Sequence, residues 1–234
     1  MNFLRVALVS LLCLANAAAQ AQTAKAVDMT AEPDHHLFLQ NEYTRVFKVE
    51  VPAHQPTLLH RHDRDYVFVS LGAADLENDV EGKSPVSLHL QDGEVHFAPG
   101  NFSHVAVNRG DTPFRNVTIE ILKAAKAPAG KPAERGLEVG HGGMTDIVVD
   151  NDEVQVTDTQ VAAGGMLPAQ RHKGPYLIVA VSNLALHRVG EKQPKAPAML
   201  EMKRGDVRWF AAGTTAEMMN MGKQNQRFIA VEFK

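Results

Sequence analysis

Three histidines carry the chemistry that this sequence suggests most strongly. His60 and His62 lie two residues apart in a segment rich in β-forming residues, and His104 follows a short turn that contains proline and glycine. Side chains two residues apart on a strand project from the same face, so His60 and His62 would point to one place. Neutral imidazole is a frequent ligand of transition metals, and three converging imidazoles predict a metal site with an open coordination position.

A tyrosine and two carboxylates lie close to these histidines in the sequence. Tyr66 begins the next apolar segment, and the sequence leaves two interpretations open. It either packs in the core or places a phenol near the metal as a hydrogen-bond or proton donor. Asp63 and Asp65 are expected to form the turn and face solvent, with support of the metal as the lesser alternative.

The remaining histidines of this region and beyond are expected to lie outside the site. Their alternation with apolar neighbours predicts positions that face solvent, or a turn near the mouth of the site for His54. The residues expected to face outward are His35, His36, His89, His96, His141 and His187.

Residues 1–21 have the features of an export signal. Arg5 supplies a positive charge, an apolar run covers residues 6–15, and small residues suited to cleavage follow. Cys13 is the only cysteine and lies in this leader, so the mature protein would contain no disulfide bond. We expect a periplasmic or secreted protein, with a loose lead-in from the cleavage site to about residue 32.

The charge balance limits the partners of the chain. Loss of Arg5 with the leader leaves 23 basic residues against 27 acidic ones, a net charge of −4. This balance argues against nucleic acid or an anionic membrane as the main partner, and no apolar run after the leader is long enough to cross a membrane. The expected partner is a small-molecule ligand or substrate, bound by a monomer or a homodimer.

Short segments of alternating polarity follow the leader and indicate an all-β protein. Residues 44–51 place Phe47, Val49 and Val51 on one face of a half-buried strand. Arg45 shares that face, so its side chain could project inward and meet an anion. Similar segments, separated by proline and glycine, indicate an antiparallel sandwich or barrel.

The second half of the chain repeats the first. Arg61-His62 matches Arg171-His172 and Tyr66 matches Tyr176 at an offset of 110 residues, and after a two-residue insertion Glu120 matches Glu232 at an offset of 112. An internal repeat of this kind indicates two copies of one folding unit. We predict β-domains at residues 33–123 and 144–234, joined by a linker at residues 124–143.

The motifs resemble those of the cupin superfamily. The first cupin motif is matched by His60-Arg61-His62 and Gly72, with Tyr66 where the family usually has a glutamate and His54 in place of the opening glycine. The second motif is matched by Gly93, Pro99, His104 and Asn108, with Asn101 in place of its second glycine. The resemblance implies a bicupin, in which two tandem double-stranded jelly-roll barrels each have six to eight strands.

The resemblance also implies that His60, His62 and His104 are metal ligands inside the first barrel. In the second half Gln170 replaces His60 and Ala216 replaces His104, so that barrel is expected to hold no metal. The cofactor is expected to be a divalent transition metal. Imidazole ligands leave Zn, Cu, Fe, Mn and Ni as candidates.

Two functions are compatible with these features. The first is an exported, metal-dependent enzyme that acts on a small polar or chelating substrate, with an oxygenase favoured over an isomerase or a lyase and with Tyr66 as its proton donor. The second is a non-catalytic exported protein that binds a metal or small ligand or supports an envelope partner. The fold does not decide between them, because the same barrel serves many chemistries.

Overall fold

The computed structural model describes residues 25–123, 137–138, 141–189 and 199–234. Almost all regular structure in these ranges is β-strand, which confirms the all-β prediction. The predicted leader lies outside the described residues, as does most of the predicted linker, and the predicted domain bounds stay a prediction. No helix among the described residues has the length and apolar character needed to cross a membrane.

The first barrel consists of two five-stranded sheets, ordered β1-β4-β9-β6-β7 and β2-β3-β10-β5-β8. Its strands are β1 Val27–Asp28, β2 His35–Gln40, β3 Thr44–Val51, β4 His60–His62, β5 Tyr66–Ser70, β6 Ala74–Val80, β7 Val86–Leu90, β8 Val95–Ala98, β9 Phe102–Asn108 and β10 Phe114–Ile121. A short 3₁₀ turn, Met29–Ala31, follows β1.

The second barrel consists of a six-stranded sheet, β11-β12-β13-β20-β15-β18, and a four-stranded sheet, β14-β19-β16-β17. Its strands are β11 Leu137–Glu138, β12 Gly143–Asp150, β13 Val154–Val161, β14 Met166–Arg171, β15 Tyr176–Ala180, β16 Leu184–Val189, β17 Met199–Met202, β18 Val207–Phe210, β19 Thr215–Asn220 and β20 Gln226–Phe233. The repeat is visible in the strands, since β3 and β13 share the offset of 110 residues and β10 and β20 that of 112.

Each barrel has its own apolar interior, and the face predicted for β3 is correct. Phe47, Val49 and Val51 pack together inside the first barrel. Met29 is buried in the same cluster, and β1 pairs in parallel with β4. The expected loose lead-in is therefore wrong for residues 27–32, because Met29 fills the interior and β1 completes the edge of the sheet.

The two barrels share a third apolar cluster, which lies between them. Val117 and Ile119 of β10 point away from the first interior and join Leu177, Ile229 and other residues of the second barrel. In β10 these residues alternate with Asn116, Thr118 and Glu120, which follows from the two-residue period of a strand. The strands at this interface are therefore buried on both faces, which couples the barrels through the largest energy term in folding.

Polar contacts at the margin of this interface also join the barrels. Arg227 donates to the carbonyl oxygen of Asp92 at 2.8 Å, and Arg204 pairs with the Asp92 carboxylate at 2.5 Å. A Cβ at Gly93 would lie 2.7 Å from the Arg227 guanidinium carbon, and Gly93 also has a positive φ of 71°. The backbone conformation therefore favours glycine here, and a side chain would also displace the Arg227 guanidinium.

We predict that Ile119→Ala lowers the free energy of unfolding by about 2–5 kcal/mol, because it opens a cavity between the barrels. Urea unfolding should still show one transition, since the interface couples the two halves. Val148→Ala, at a side chain that is largely exposed, is the control and should change stability by less than about 0.5 kcal/mol. Two separated transitions in the wild type would contradict this coupling.

Candidate metal centre

Two paired strands bring the three predicted ligands together. His60 and His62 are buried on one face of β4, and Arg61 between them is exposed. Strand β4 pairs antiparallel with β9 in a register that places His60 opposite His104. One ring nitrogen from each histidine lies within 4.8 Å of the others. The convergence expected from the sequence is thus present.

Hydrogen bonds on the far side of two rings fix which nitrogen faces the centre. His60 Nδ1 donates to the carbonyl oxygen of Leu58 at 2.9 Å, and His104 Nδ1 donates to Asn78 Oδ1 at 2.5 Å. Both rings are therefore in the tautomer that leaves Nε2 free to bind a metal. His60 Nε2 is buried and has no hydrogen-bond partner among the described residues.

The rings are neutral at physiological pH. Burial first, and the neighbouring imidazoles second, lower the pKa of His60 to about 4, of His104 to about 3 and of His62 to about 2. His62 Nε2 lies 3.1 Å from His104 Nε2 and donates to it in the metal-free protein, since His104 already donates from Nδ1 to Asn78. Three neutral, inward-facing nitrogens with an unsatisfied lone pair fit a divalent transition metal.

Tyr66 lies directly against this cluster. Its ring stacks on His62 with the centroids 4.2 Å apart, and it is almost fully buried. Burial raises the pKa of the Tyr66 hydroxyl, so the phenol stays protonated at neutral pH. Packing of the ring is thus part of its role, and its use as a proton donor stays a prediction.

His35 corrects one expectation from the sequence. It was predicted to face solvent, but it is buried with its ring 4.7 Å from that of His60. The register of β2 with β3 places it opposite Val49, on the inward face. His35 Nδ1 lies 2.5 Å from Oε2 of Glu32, which is itself buried.

Glu32 is held in its ionised form by its surroundings. Burial opposes ionisation, but hydrogen bonds from His35 and from the backbone N–H groups of Leu58 and Asp34 outweigh it and lower the pKa of the carboxyl. The sequence contained no signal for this pair, because Glu32 and His35 meet the site only through strand pairing.

The other flanking residues take structural positions. Asp63 pairs with Arg61 at the surface, and Asp65 accepts from the Gly100 N–H at 2.8 Å, so both carboxylates are engaged at turns as expected. His36, His89 and His141 are exposed as predicted, and His54 is exposed in a turn with φ 59°. Arg45 does meet an anion, since its Nε lies 2.6 Å from Glu120 Oε2.

The departures from the cupin motifs have local explanations. Asn101 has φ 66°, a left-handed conformation that asparagine tolerates better than most residues, so it can stand where the motif has glycine. Asn108 donates to the carbonyl oxygens of Val51, Pro52 and Thr112. Asn220 repeats this pattern in the second barrel, so both asparagines close turns.

A cavity of about 70 Å³ lies beside the three histidines. Its polar lining includes Tyr66, His35, Asn78, Asn116 and Thr118, and most of the remaining wall is apolar. Glu77 is the one charged side chain among the described residues that line it, apart from the histidines, and it pairs with Arg109 at 2.7 Å.

The second barrel has lost this arrangement. His172 donates to Glu232 at 2.7 Å, and the cavity beside it measures about 20 Å³. Arg188 stands at the position of Asn78, buried with its guanidinium 5.1 Å from the Phe210 ring centroid. The only group of three potential ligands in the described residues is that of the first barrel.

We predict that acid destabilises the metal-free protein through these rings. In the unfolded chain the histidines bind a proton near pH 6.5, whereas in the folded protein they do so only near pH 4 or below. The unfolded state binds more protons between these values, so the free energy of unfolding falls as pH is lowered through them. Urea unfolding measures this free energy at about pH 7 and about pH 4.5. Between these values it should fall less for His60→Gln than for the wild type. An equal fall in the free energy of unfolding in both proteins would contradict the view that the buried His60 ring contributes to acid destabilisation.

Comparison with known proteins supports the fold. No protein-family model and no curated protein matches the sequence. AerE from Microcystis aeruginosa superposes with a TM-score of 0.60 at 12% identity, over 87% of this chain and 98% of that one. An oxalate decarboxylase structure superposes with a TM-score of 0.63 at 12% identity, over 85% of this chain and 75% of that one. A cupin 2 conserved barrel domain protein from Leptotrichia buccalis superposes with a TM-score of 0.53 at 10% identity, over 86% of this chain and 88% of that one. The chain therefore has the cupin fold, in the two-barrel arrangement of a bicupin.

Proposed function

We propose that this chain is an exported, metal-dependent enzyme, and that His60, His62 and His104 hold one divalent transition metal in its first barrel. The observation that carries the proposal is the buried, unpartnered Nε2 of His60 beside two further inward-facing imidazoles. Burial of such a nitrogen without a partner costs free energy, and a bound metal would remove that cost.

The surrounding residues supply the rest of the chemistry. A metal with three neutral ligands keeps its full charge and an open position, and would act as a Lewis acid toward a chelating substrate. Tyr66 lines the same cavity with a protonated phenol and is placed to donate a hydrogen bond or a proton. His35, held by Glu32, offers a second polar group in the wall, next to His60.

An oxygenase is the reaction type that we favour within this class. The cavity wall is mostly apolar, and an open position on a three-histidine metal suits the binding of a small gas beside a chelating substrate. The structural neighbours include Bacillus subtilis oxalate decarboxylase, whose Mn(II) centres are described. Manganese therefore stays among the candidates with Zn, Cu, Fe and Ni.

The cavity wall supports a particular kind of substrate. No lysine or arginine is among the described residues that line it, so a small dianion would find no counter-charge except the metal. Leu76, Leu88 and Phe114 instead offer apolar contact. We therefore propose a neutral or weakly acidic chelating molecule with a short apolar body.

Export rests on the leader at residues 1–21, whose charged start, apolar run and small residues fit a signal peptide. Mass spectrometry of the protein from cell fractions would test it. The proposal requires a mature chain that begins close to residue 20 or 22 in the periplasmic or secreted fraction.

We predict that His104→Ala abolishes stoichiometric metal binding, because two imidazoles alone do not hold a divalent ion tightly. Protein loaded with Co²⁺ or Zn²⁺ and freed of excess should contain about one ion per chain in the wild type and less than about a tenth of that in the variant. Metal at about 100 times its Kd should stabilise only the wild type, by about 2.7 kcal/mol.

His172→Ala is the control, since it removes the one motif histidine that the second barrel keeps, the counterpart of His62, and should leave metal content unchanged. A His104→Ala protein that retains its metal would overturn the proposed site. If metal binds and no substrate class turns over in a screen, the non-catalytic binding protein becomes the better description.

We predict that affinity for the loaded site rises with the apolar length of a neutral chelator. Butyrohydroxamate has two methylene groups more than acetohydroxamate, and burial of each is worth about 0.8 kcal/mol, so it should bind about tenfold more tightly. Titration followed by the visible absorbance of the Co²⁺ protein measures both constants. Equal affinities, or tighter binding of oxalate than of either hydroxamate, would contradict the proposed substrate class.

A further inference from the structure

His62 differs from the other two candidate ligands in its second nitrogen. The Nδ1 atoms of His60 and His104 each donate to an oxygen of the protein, whereas His62 Nδ1 is buried without a hydrogen-bond partner among the described residues. His62 is 2% exposed, so bulk water does not serve this atom. A metal ligand whose other nitrogen lacks an acceptor is neither oriented nor made more basic by its surroundings.

Glu120 has a carboxylate oxygen that lacks a hydrogen-bond donor among the described residues. It is fully buried, its Oε2 accepts from Arg45 Nε at 2.6 Å, and its Oε1 has no partner among the described residues. Burial raises the pKa of the Glu120 carboxyl, although the hydrogen bond from Arg45 opposes this. One more donor, directed at Oε1, would complete the set that a buried carboxylate needs.

The second barrel shows how the equivalent residues meet. His172, which corresponds to His62, donates from Nδ1 to Glu232 at 2.7 Å, and Glu232 corresponds to Glu120. The tyrosine of each barrel supports the comparison. Tyr176 stacks on His172 and faces Glu232 across the sheet, as Tyr66 stacks on His62 and faces Glu120.

The barrels differ at one neighbour of this glutamate. Arg45 lies opposite Glu120, whereas Gln155 occupies the equivalent place opposite Glu232. Arg45 engages one carboxylate oxygen and leaves the other free. A carboxylate can accept from two donors at once, so the contact with Arg45 does not prevent a second contact with His62.

We infer that Glu120 is a positioning residue for the metal site, and that its Oε1 accepts a hydrogen bond from His62 Nδ1–H when the first barrel holds its metal. This contact makes Nε2 the binding atom of His62, as it is in the other two ligands. The inference rests on the metal binding proposed above. Loss of such a partner lowers metal affinity by about 10- to 100-fold.

The test uses the full mature chain and Co²⁺ as the probe. In Glu120→Gln the new amide nitrogen is a donor and faces either Arg45 or His62, so the Kd for Co²⁺ should rise at least about tenfold while the circular dichroism spectrum is retained. Glu232→Gln makes the same change in the second barrel and should leave the Kd unchanged.

A second measurement separates positioning from a general effect on stability. Imidazole ¹H–¹⁵N spectra of the Zn²⁺-loaded wild type should show a slowly exchanging His62 Nδ1–H with Nε2 bound to the metal. This signal should shift or vanish in Glu120→Gln and persist in Glu232→Gln.

Each result decides one of the two proposals. Wild-type protein that binds no Co²⁺ overturns the proposed metal site and this inference with it. Wild-type protein that binds Co²⁺, with a Kd within about twofold in Glu120→Gln and an unchanged His62 signal, overturns the inference alone, since a real partner is worth at least tenfold. If Glu120→Gln does not fold, the wild-type spectrum decides, because His62 bound through Nδ1 excludes the contact.

Discussion

The antiparallel register between β4 and β9 is the constraint on which the candidate site depends. It sets His60 opposite His104, and the pleat of β4 then turns His62 to the same interior. A shift of one residue would move these side chains to the outer face, because successive side chains of a strand alternate. Burial then keeps the rings neutral, which is the form that binds a metal.

The rest of the barrel holds this register in place. Strand β6 pairs with the other side of β9 and brings Asn78 to His104, while β1 covers the free edge of β4. The other sheet of the first barrel, β2-β3-β10-β5-β8, buries its outer face against the second barrel. The framework around the site is therefore stabilised by both halves of the chain. A second barrel without a metal cluster in its described residues thus has a structural role in this interface.

Much of the first barrel could be predicted because its signals are local in sequence. The shared face of His60 and His62 and the inward face of β3 each follow from short patterns. The pairing of the two halves at offsets of 110 and 112 also predicted the second barrel and its loss of ligands.

The residues that support the ligands could not be predicted in the same way. His35 and Asn78 approach the histidines through strand pairings that no short pattern specifies, and the prediction of a solvent-facing His35 is wrong for this reason. The lead-in before β2 was also misjudged, because the burial of Met29 depends on a cavity that other strands create.

We propose that three imidazoles of one barrel bind a single metal ion. X-ray absorption at the metal edge of the Zn²⁺- or Co²⁺-loaded protein tests it most directly. We expect three imidazole nitrogens at about 2.0–2.1 Å, with the outer-ring scattering of histidine and further light ligands that complete the shell. A spectrum with one imidazole or none, or with only oxygen ligands, would contradict it.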